Sequence, residues 1–199
     1  MRTLRHLTAG AVAAVLVVCL GGCGSDAPAS AGPVRSDTPT LGGPTPTAVV
    51  PTGEMDALER PVAASLAKQV AGLGLKLDFL DCPDWKGKAP VSLSCTGWFD
   101  GVPGQVQVKL AETNGAVSFD ARLKEGVIAT SRLVSQLTEQ GYSEVDCGSQ
   151  AAYPAQPGVR IVCSVAQDGA TTHVVATATG TDGELSITGW PGSEDGGGE

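Results

Sequence analysis

Residues 62–74, VAASLAKQVAGLG, can be laid over residues 129–141, ATSRLVSQLTEQG, so that Leu66 meets Leu133, Gln69 meets Gln136, Val70 meets Leu137 and Gly74 meets Gly141. Both copies carry apolar residues at helical spacing and end on a glycine, the usual residue where a helix must stop. Each then reaches an Asp-Cys pair, Asp81-Cys82 and Asp146-Cys147, followed by an alternating segment that ends in cysteine, VSLSC to Cys95 and VRIVC to Cys163. Five residues after each of these cysteines comes Asp-Gly, Asp100-Gly101 and Asp168-Gly169. Fourteen residues further on, Asn114-Gly115 corresponds to Asp182-Gly183. Such dipeptides between alternating runs mark β-hairpins. The pattern predicts one unit used twice: a helix, then a cysteine-bearing strand, a loop, a second cysteine strand and two hairpin turns. The fold class expected is α+β, in two tandem units, each with one helix followed by a small antiparallel sheet and one internal disulfide. The units are placed at residues 60–123 and 124–190.

A unit of about 65 residues is near the lower limit for burying enough apolar surface to stay folded. Aromatic residues are only 4% of the chain, so the cores must be built from Val, Leu and Ile. A staple within each unit and packing of the two units together would both help. Four cysteines allow three pairings, and the duplication selects Cys82 with Cys95 and Cys147 with Cys163. No Cys-x-x-Cys spacing is present for zinc or for a redox pair. The expectation is therefore two structural disulfides and no metal or cofactor.

Disulfides need an oxidising compartment, and the first residues supply the route to one. MRTLRH brings two arginines and LTAGAVAAVLVVCL, residues 7–20, is an apolar run too short to span a bilayer comfortably. It ends in Leu20-Gly21-Gly22-Cys23, which resembles the lipobox of bacterial lipoproteins. That resemblance implies a signal peptide at 1–22, diacylation of Cys23, and a location on the outer face of the cell membrane. Removing 1–22 takes Arg2 and Arg5 but no acidic residue, so the remaining chain is more acidic than the −8 of the whole. That charge argues against nucleic acid, and leaves the acyl chains rather than cationic side chains to hold the protein at the membrane. Residues 23–59 hold the lipidated Cys23 and a Pro/Thr/Ser/Gly-rich stretch without period, read as a disordered tether; 191–199 reads as a disordered acidic tail.

Little in the chain points to catalysis. One histidine, His173, remains after signal removal; it lies in an alternating strand and aligns with Gln105 of the first copy. No Gly-x-Ser-x-Gly, Ser-x-x-Lys, His-Glu-x-x-His or phosphate-binding glycine loop occurs. The acids fall mainly in turns, which account for them without chemistry. The expectation is a non-enzymatic protein. The loop between the first two cysteines carries Trp85, Lys86 and Lys88, and the corresponding second loop carries Tyr153 beside Pro154 and Pro157. A ring on a stapled loop serves either as an anchor for a partner or as a cover for its own disulfide and sheet end, the commoner use in small sheets. These four residues are the candidate binding set.

The run from the lipobox through a Pro/Thr-rich tether to a helix, Cys82-Pro83, a glycine-containing loop, VSLSC and Asp100-Gly101 resembles the actinobacterial lipoprotein domains of unknown function. The likeness covers residues 60–120 best, and Gly148 departs from it by standing where a proline follows the first cysteine. It implies a single such unit behind a membrane anchor and carries no activity. A more distant likeness, of architecture alone, is to beta-lactamase inhibitory protein, whose tandem helix-plus-sheet repeats grip an enzyme. The functional expectation is a lipid-anchored envelope module that binds a protein, peptide or wall component. The alternatives are an inhibitor of a secreted enzyme and, last, a carboxylate-dependent hydrolase.

Overall fold

A computed structural model of the chain describes residues 38–191. The expected signal peptide, Cys23, the first part of the expected tether and the tail beyond Pro191 lie outside the described residues. Among the described residues, no helix is long and apolar enough to cross a membrane.

The first helix, α1 (Glu59–Ala71), is set by a motif just ahead of it. Asp56 Oδ1 accepts hydrogen bonds from the amides of Leu58 and Glu59, both at 2.7 Å, and Glu59 Oε2 accepts from Asp56 N–H at 2.7 Å. This reciprocal arrangement is a capping box, and it satisfies donors that a helix start would otherwise leave open. Glu59 Oε1 also accepts from Cys82 N–H at 2.7 Å, so one buried carboxylate fastens the helix start to the first disulfide. At the other end Gly74 (φ 71°) donates to Ala71 O and Leu75 donates to Val70 O. The second helix, α2 (Thr130–Glu139), stops the same way: Gly141 (φ 95°) donates to Thr138 O and Tyr142 to Leu137 O. Both glycines are thus the left-handed residues of Schellman motifs, as their spacing predicted.

After α1 come β1 (Leu77–Asp81), β2 (Val91–Phe99), β3 (Val102–Thr113) and β4 (Ala116–Glu125), an antiparallel sheet in sequential order. After α2 come β6 (Ser143–Asp146), β8 (Arg160–Gln167), β9 (Ala170–Ala178) and β10 (Leu185–Gly189), again antiparallel, in the order β10-β9-β8-β6. Disulfides join Cys82 to Cys95 and Cys147 to Cys163, so the fold is α+β with the two expected bonds. Closing loops of this length contributes on the order of 3 kcal/mol each. The turns Asp100-Gly101 (φ 48°, 79°), Asn114-Gly115 (54°, 78°) and Asp168-Gly169 (53°, 81°) have the paired positive φ that tight two-residue hairpins require. Asp182-Gly183 does not: β9 stops at Ala178 and β10 starts at Leu185, so this pair sits in a wider loop closed by Thr179 N–H on Glu184 O.

Strand alternation feeds two cores. Val62, Leu66 and Val70 of α1 pack with Leu80, Phe99 and Val106, whereas Leu133 and Leu137 of α2 pack with Ile161, Val165 and Tyr153. Each such side chain taken out of water contributes about 1.5–3 kcal/mol. Between the cores lies a two-stranded ribbon, β5 (Val127–Ala129) with β7 (Ala152–Pro154). Its paired residues alternate in allegiance: Ile128 and Tyr153 belong to the second core, Ala129 and Ala152 to the first. The period of two makes one short ribbon a wall shared by both cores.

The chain leaves β4 at Gly126 (φ 94°), where it crosses β3 at Gly104. A Cβ on Gly126 would stand 2.9 Å from Gly104 Cα and 2.9 Å from Pro103 O. Gly126 N–H donates to Thr181 O, and its carbonyl accepts from Ala155 N–H. Both polar groups of this crossing residue are therefore taken by the second half of the chain. Within the span read as tether, the structure holds more than a spacer requires. Gly42 exchanges both backbone hydrogen bonds with Val162, at 2.8 and 2.9 Å, and so lengthens the edge that β6 leaves beside β8.

Candidate binding site

Trp85 is half-buried against the first core, and its indole Nε1–H donates to Lys88 O at 3.0 Å. The ring closes its own loop, while Lys86 and Lys88 stay exposed on the outside of that loop. Tyr153, a candidate anchor from sequence, is fully buried in the second core. Its hydroxyl donates to Cys147 O at 2.6 Å. Burial pushes the phenol pKa up and the Asp146 charge adds to this, against a hydrogen bond from the Gly43 backbone that works the other way. Gly42, Gly43 and Gly148 crowd this ring: a Cβ on Gly42 or Gly148 would lie 2.9 or 3.1 Å from the hydroxyl, and one on Gly43 3.0 Å from Cδ1. Tyr153 is therefore a core ring that seats the Gly42 segment, not a surface anchor. The sequence shows an aromatic beside prolines but not the glycines that come from elsewhere to cover it. Trp85 and Tyr153 pack against different cores, and they do not form a shared surface.

The carboxylates of the first sheet are occupied by backbone. Asp78 Oδ2 accepts from Gly101 N–H and Asp100 Oδ2 from Lys76 N–H, each at 2.9 Å. Lys76 Nζ lies 2.9 Å from Asp78 Oδ1, and that hydrogen bond, with the charge behind it, raises the lysine pKa. These groups lock the β2–β3 turn to β1. Among the described residues, no three His, Cys, Asp or Glu side chains come together in an arrangement able to hold a metal ion. His173 sits half-buried in β9, opposite Ser164 of β8.

What sequence reasoning missed is a cleft of about 350 Å³ at the crossing of the two glycines. It is lined by Ser94 and Thr96 of β2, Pro103 and Gln105 of β3, Glu125 of β4, and Gln156 and Thr181 from the second half of the chain. The size is that of small-molecule sites. Thr181 Oγ1 donates to a Glu125 carboxylate oxygen at 2.8 Å across it. The only sequence signal was the glycine in a strand, Gly104, which marks a close backbone approach.

The fold and its cleft define a disulfide-stapled α+β chain with a polar groove between its halves. No protein-family model, no curated protein and no solved structure matches it.

Proposed function

We propose that the protein is a lipid-anchored, extracytoplasmic module that binds a component of the cell envelope and performs no catalysis. The observation that carries this reading is the division of labour among its polar groups. Glu59 gives both carboxylate oxygens to backbone amides, Asp78 gives one to an amide and one to Lys76, and Asp100 gives one to an amide. A general acid or base needs a group free to reach substrate. The side chains facing solvent in the concave site are hydroxyls, amides and one carboxylate, Glu125, which accepts from the Thr181 hydroxyl. It has no second acid or imidazole beside it among the described lining residues, a set suited to binding rather than to acid–base chemistry. Cys23 at the end of an apolar leader supports anchoring, and the two disulfides support an oxidising location. We also infer that the two helix-plus-sheet halves are tandem copies of one unit. Matching Schellman stops, disulfides between equivalent strands and matching Asp-Gly turns support that descent.

The test is cross-linking of the anchored protein in intact cells, with identification of what is captured. Recovery of one specific wall, peptide or protein species supports the module reading, and recovery of bulk lipid alone overturns it. Replacing Cys23 with alanine should release the protein from membranes; retention at parental levels would refute lipid anchoring.

A further inference from the structure

The face of the first sheet turned away from its core carries two rows set side by side by strand register. Asp81, Thr96, Gln105 and Glu125 follow one another across β1, β2, β3 and β4. All four are exposed. The adjacent row is Phe79, Trp98 and Pro103. The rings of Phe79 and Trp98 meet edge to face, centroids 5.9 Å apart, half-buried and outside both cores. The first row runs into the cleft at the Gly104–Gly126 crossing, and Pro103 of the second row lines it as well.

The chemistry of this site narrows its ligand. Among the described residues no Lys or Arg lines the cleft, and Glu125 does, so an anion finds no opposite charge there and one like charge. An apolar ligand would strand the hydroxyls of Ser94, Thr96 and Thr181 and the amides of Gln105 and Gln156 without partners. A fully cationic ligand would find a single carboxylate, Glu125, among the described lining residues and could offer no acceptor to the NH₂ groups of Gln105 and Gln156. Hydroxyls and amides each both donate and accept, which is the complement of another polyhydroxylated surface. Beside them, Trp98 and Phe79 offer an apolar edge for carbon-bound hydrogens. We propose that this cleft and the Trp98 row form a binding site for a neutral saccharide, one or two rings seated among Thr96, Gln105, Gln156 and Thr181 with Trp98 along the apolar side. The site rests on the binding-module reading and names its ligand class, a neutral oligo- or polysaccharide.

The detergent-solubilised full chain is titrated with a panel of neutral oligosaccharides (gluco-, manno-, galacto- and arabino-configured), followed by tryptophan fluorescence and calorimetry. A lysine-rich peptide and an acidic oligosaccharide serve as comparators. At least one neutral member should saturate the protein at a Kd of about millimolar or tighter. Trp98→Ala and, separately, Gln105→Ala should each weaken it about tenfold or more. Val117→Ser, on an exposed strand position away from the cleft, should leave it unchanged. Gln105 is exposed, so its variant folds even where loss of the half-buried Trp98 disturbs the sheet, and thermal melts of each variant check this. The proposal is overturned by a panel without a saturating member, by binding indifferent to both variants, or by binding of the lysine-rich peptide or the acidic oligosaccharide alone. Capture of a specific protein in cells, without any saccharide binding, overturns this ligand assignment and leaves the module reading standing. Failure of both experiments removes both.

Discussion

Replacing Glu59 with alanine should be among the most damaging single changes to the first half of the chain, although the residue lies where the sequence reads as the end of a spacer. Its two carboxylate oxygens each accept one backbone N–H at 2.7 Å, from Asp56 and from Cys82, and the residue is 6% exposed. Hydrogen bonds to charged groups contribute about 1.5–3 kcal/mol each, and water re-entering the site recovers part of the loss. A net destabilisation of about 2–4 kcal/mol follows, or a fall of about 5–15 °C in Tm for a body of this size. Two further variants separate the terms. Asp56→Ala removes the bonds to Leu58 and Glu59 amides but keeps the bond to Cys82, so it should cost only about 1 kcal/mol, the usual value of a cap. Glu59→Gln keeps one acceptor oxygen and turns an NH₂ group toward the other donor, so it should fall between. Thermal unfolding of the full chain by far-ultraviolet circular dichroism, disulfides intact, reads all three. A Glu59→Ala melt within about 2 °C of the parent would refute the reasoning, as would an Asp56→Ala loss equal to it, since the Cys82 bond would then contribute nothing.

Gly126→Ala combines a positive φ of 94° with a Cβ 2.9 Å from backbone, and should cost about 3 kcal/mol or more in chemical denaturation. Gly115→Ala, with a φ of 78° but open space around it, should cost about 1 kcal/mol, and equal losses at the two sites would count against the crossing. The Tyr153 phenol has its pKa raised in the folded state, so its contribution to stability is complete below the unfolded value near 10 and is lost as pH climbs through the folded one. In a Tyr142→Phe background, tyrosinate absorbance should therefore lag and appear together with unfolding; a free titration near 10 would show that the ring is not buried. Gly42→Ala, whose Cβ would meet the Tyr153 hydroxyl at 2.9 Å, should detach the segment around residue 42 and open it to limited proteolysis, with only a small change in Tm. Unchanged cleavage would mean that the Val162 pairing does not hold the segment.

The parts of this fold visible in the sequence are those that short-range chemistry decides. Gly74 and Gly141 stop their helices because only a left-handed residue closes a Schellman motif, and the hairpins at Asp100-Gly101 and Asp168-Gly169 need positive φ twice in succession. The disulfide pairing followed from requiring two similar stretches of sequence to pair their cysteines alike. Asp56-Ala57-Leu58-Glu59 also carried a capping signature, but it lay inside a stretch whose composition spoke for a spacer. The rest depends on residues far apart in the chain. Nothing local tells that Gly42 and Gly43 seat against Tyr153, or that three-residue β5 and β7 pair. The hairpin expected at Asp182-Gly183 widened because β9 ended early at Ala178, leaving Thr179 to bond across the loop to Glu184.

These long-range features share a consequence for the cleft. Gly104 lies in the first sheet and Gly126 directly after its last strand, while Ala155, Gln156 and Thr181 lie further along the chain. The two sides are joined through both polar groups of Gly126 and through the Thr181 hydroxyl on Glu125. The β5–β7 ribbon behind this junction faces both cores, so displacing it would uncover apolar residues on each side at once. A single unit of about 65 residues could bury a small core of its own, but it would hold only half of the groove. The chain beyond β4 thus contributes more than a second core: it supplies the opposite wall of a site that the first sheet presents only as a flat polar face.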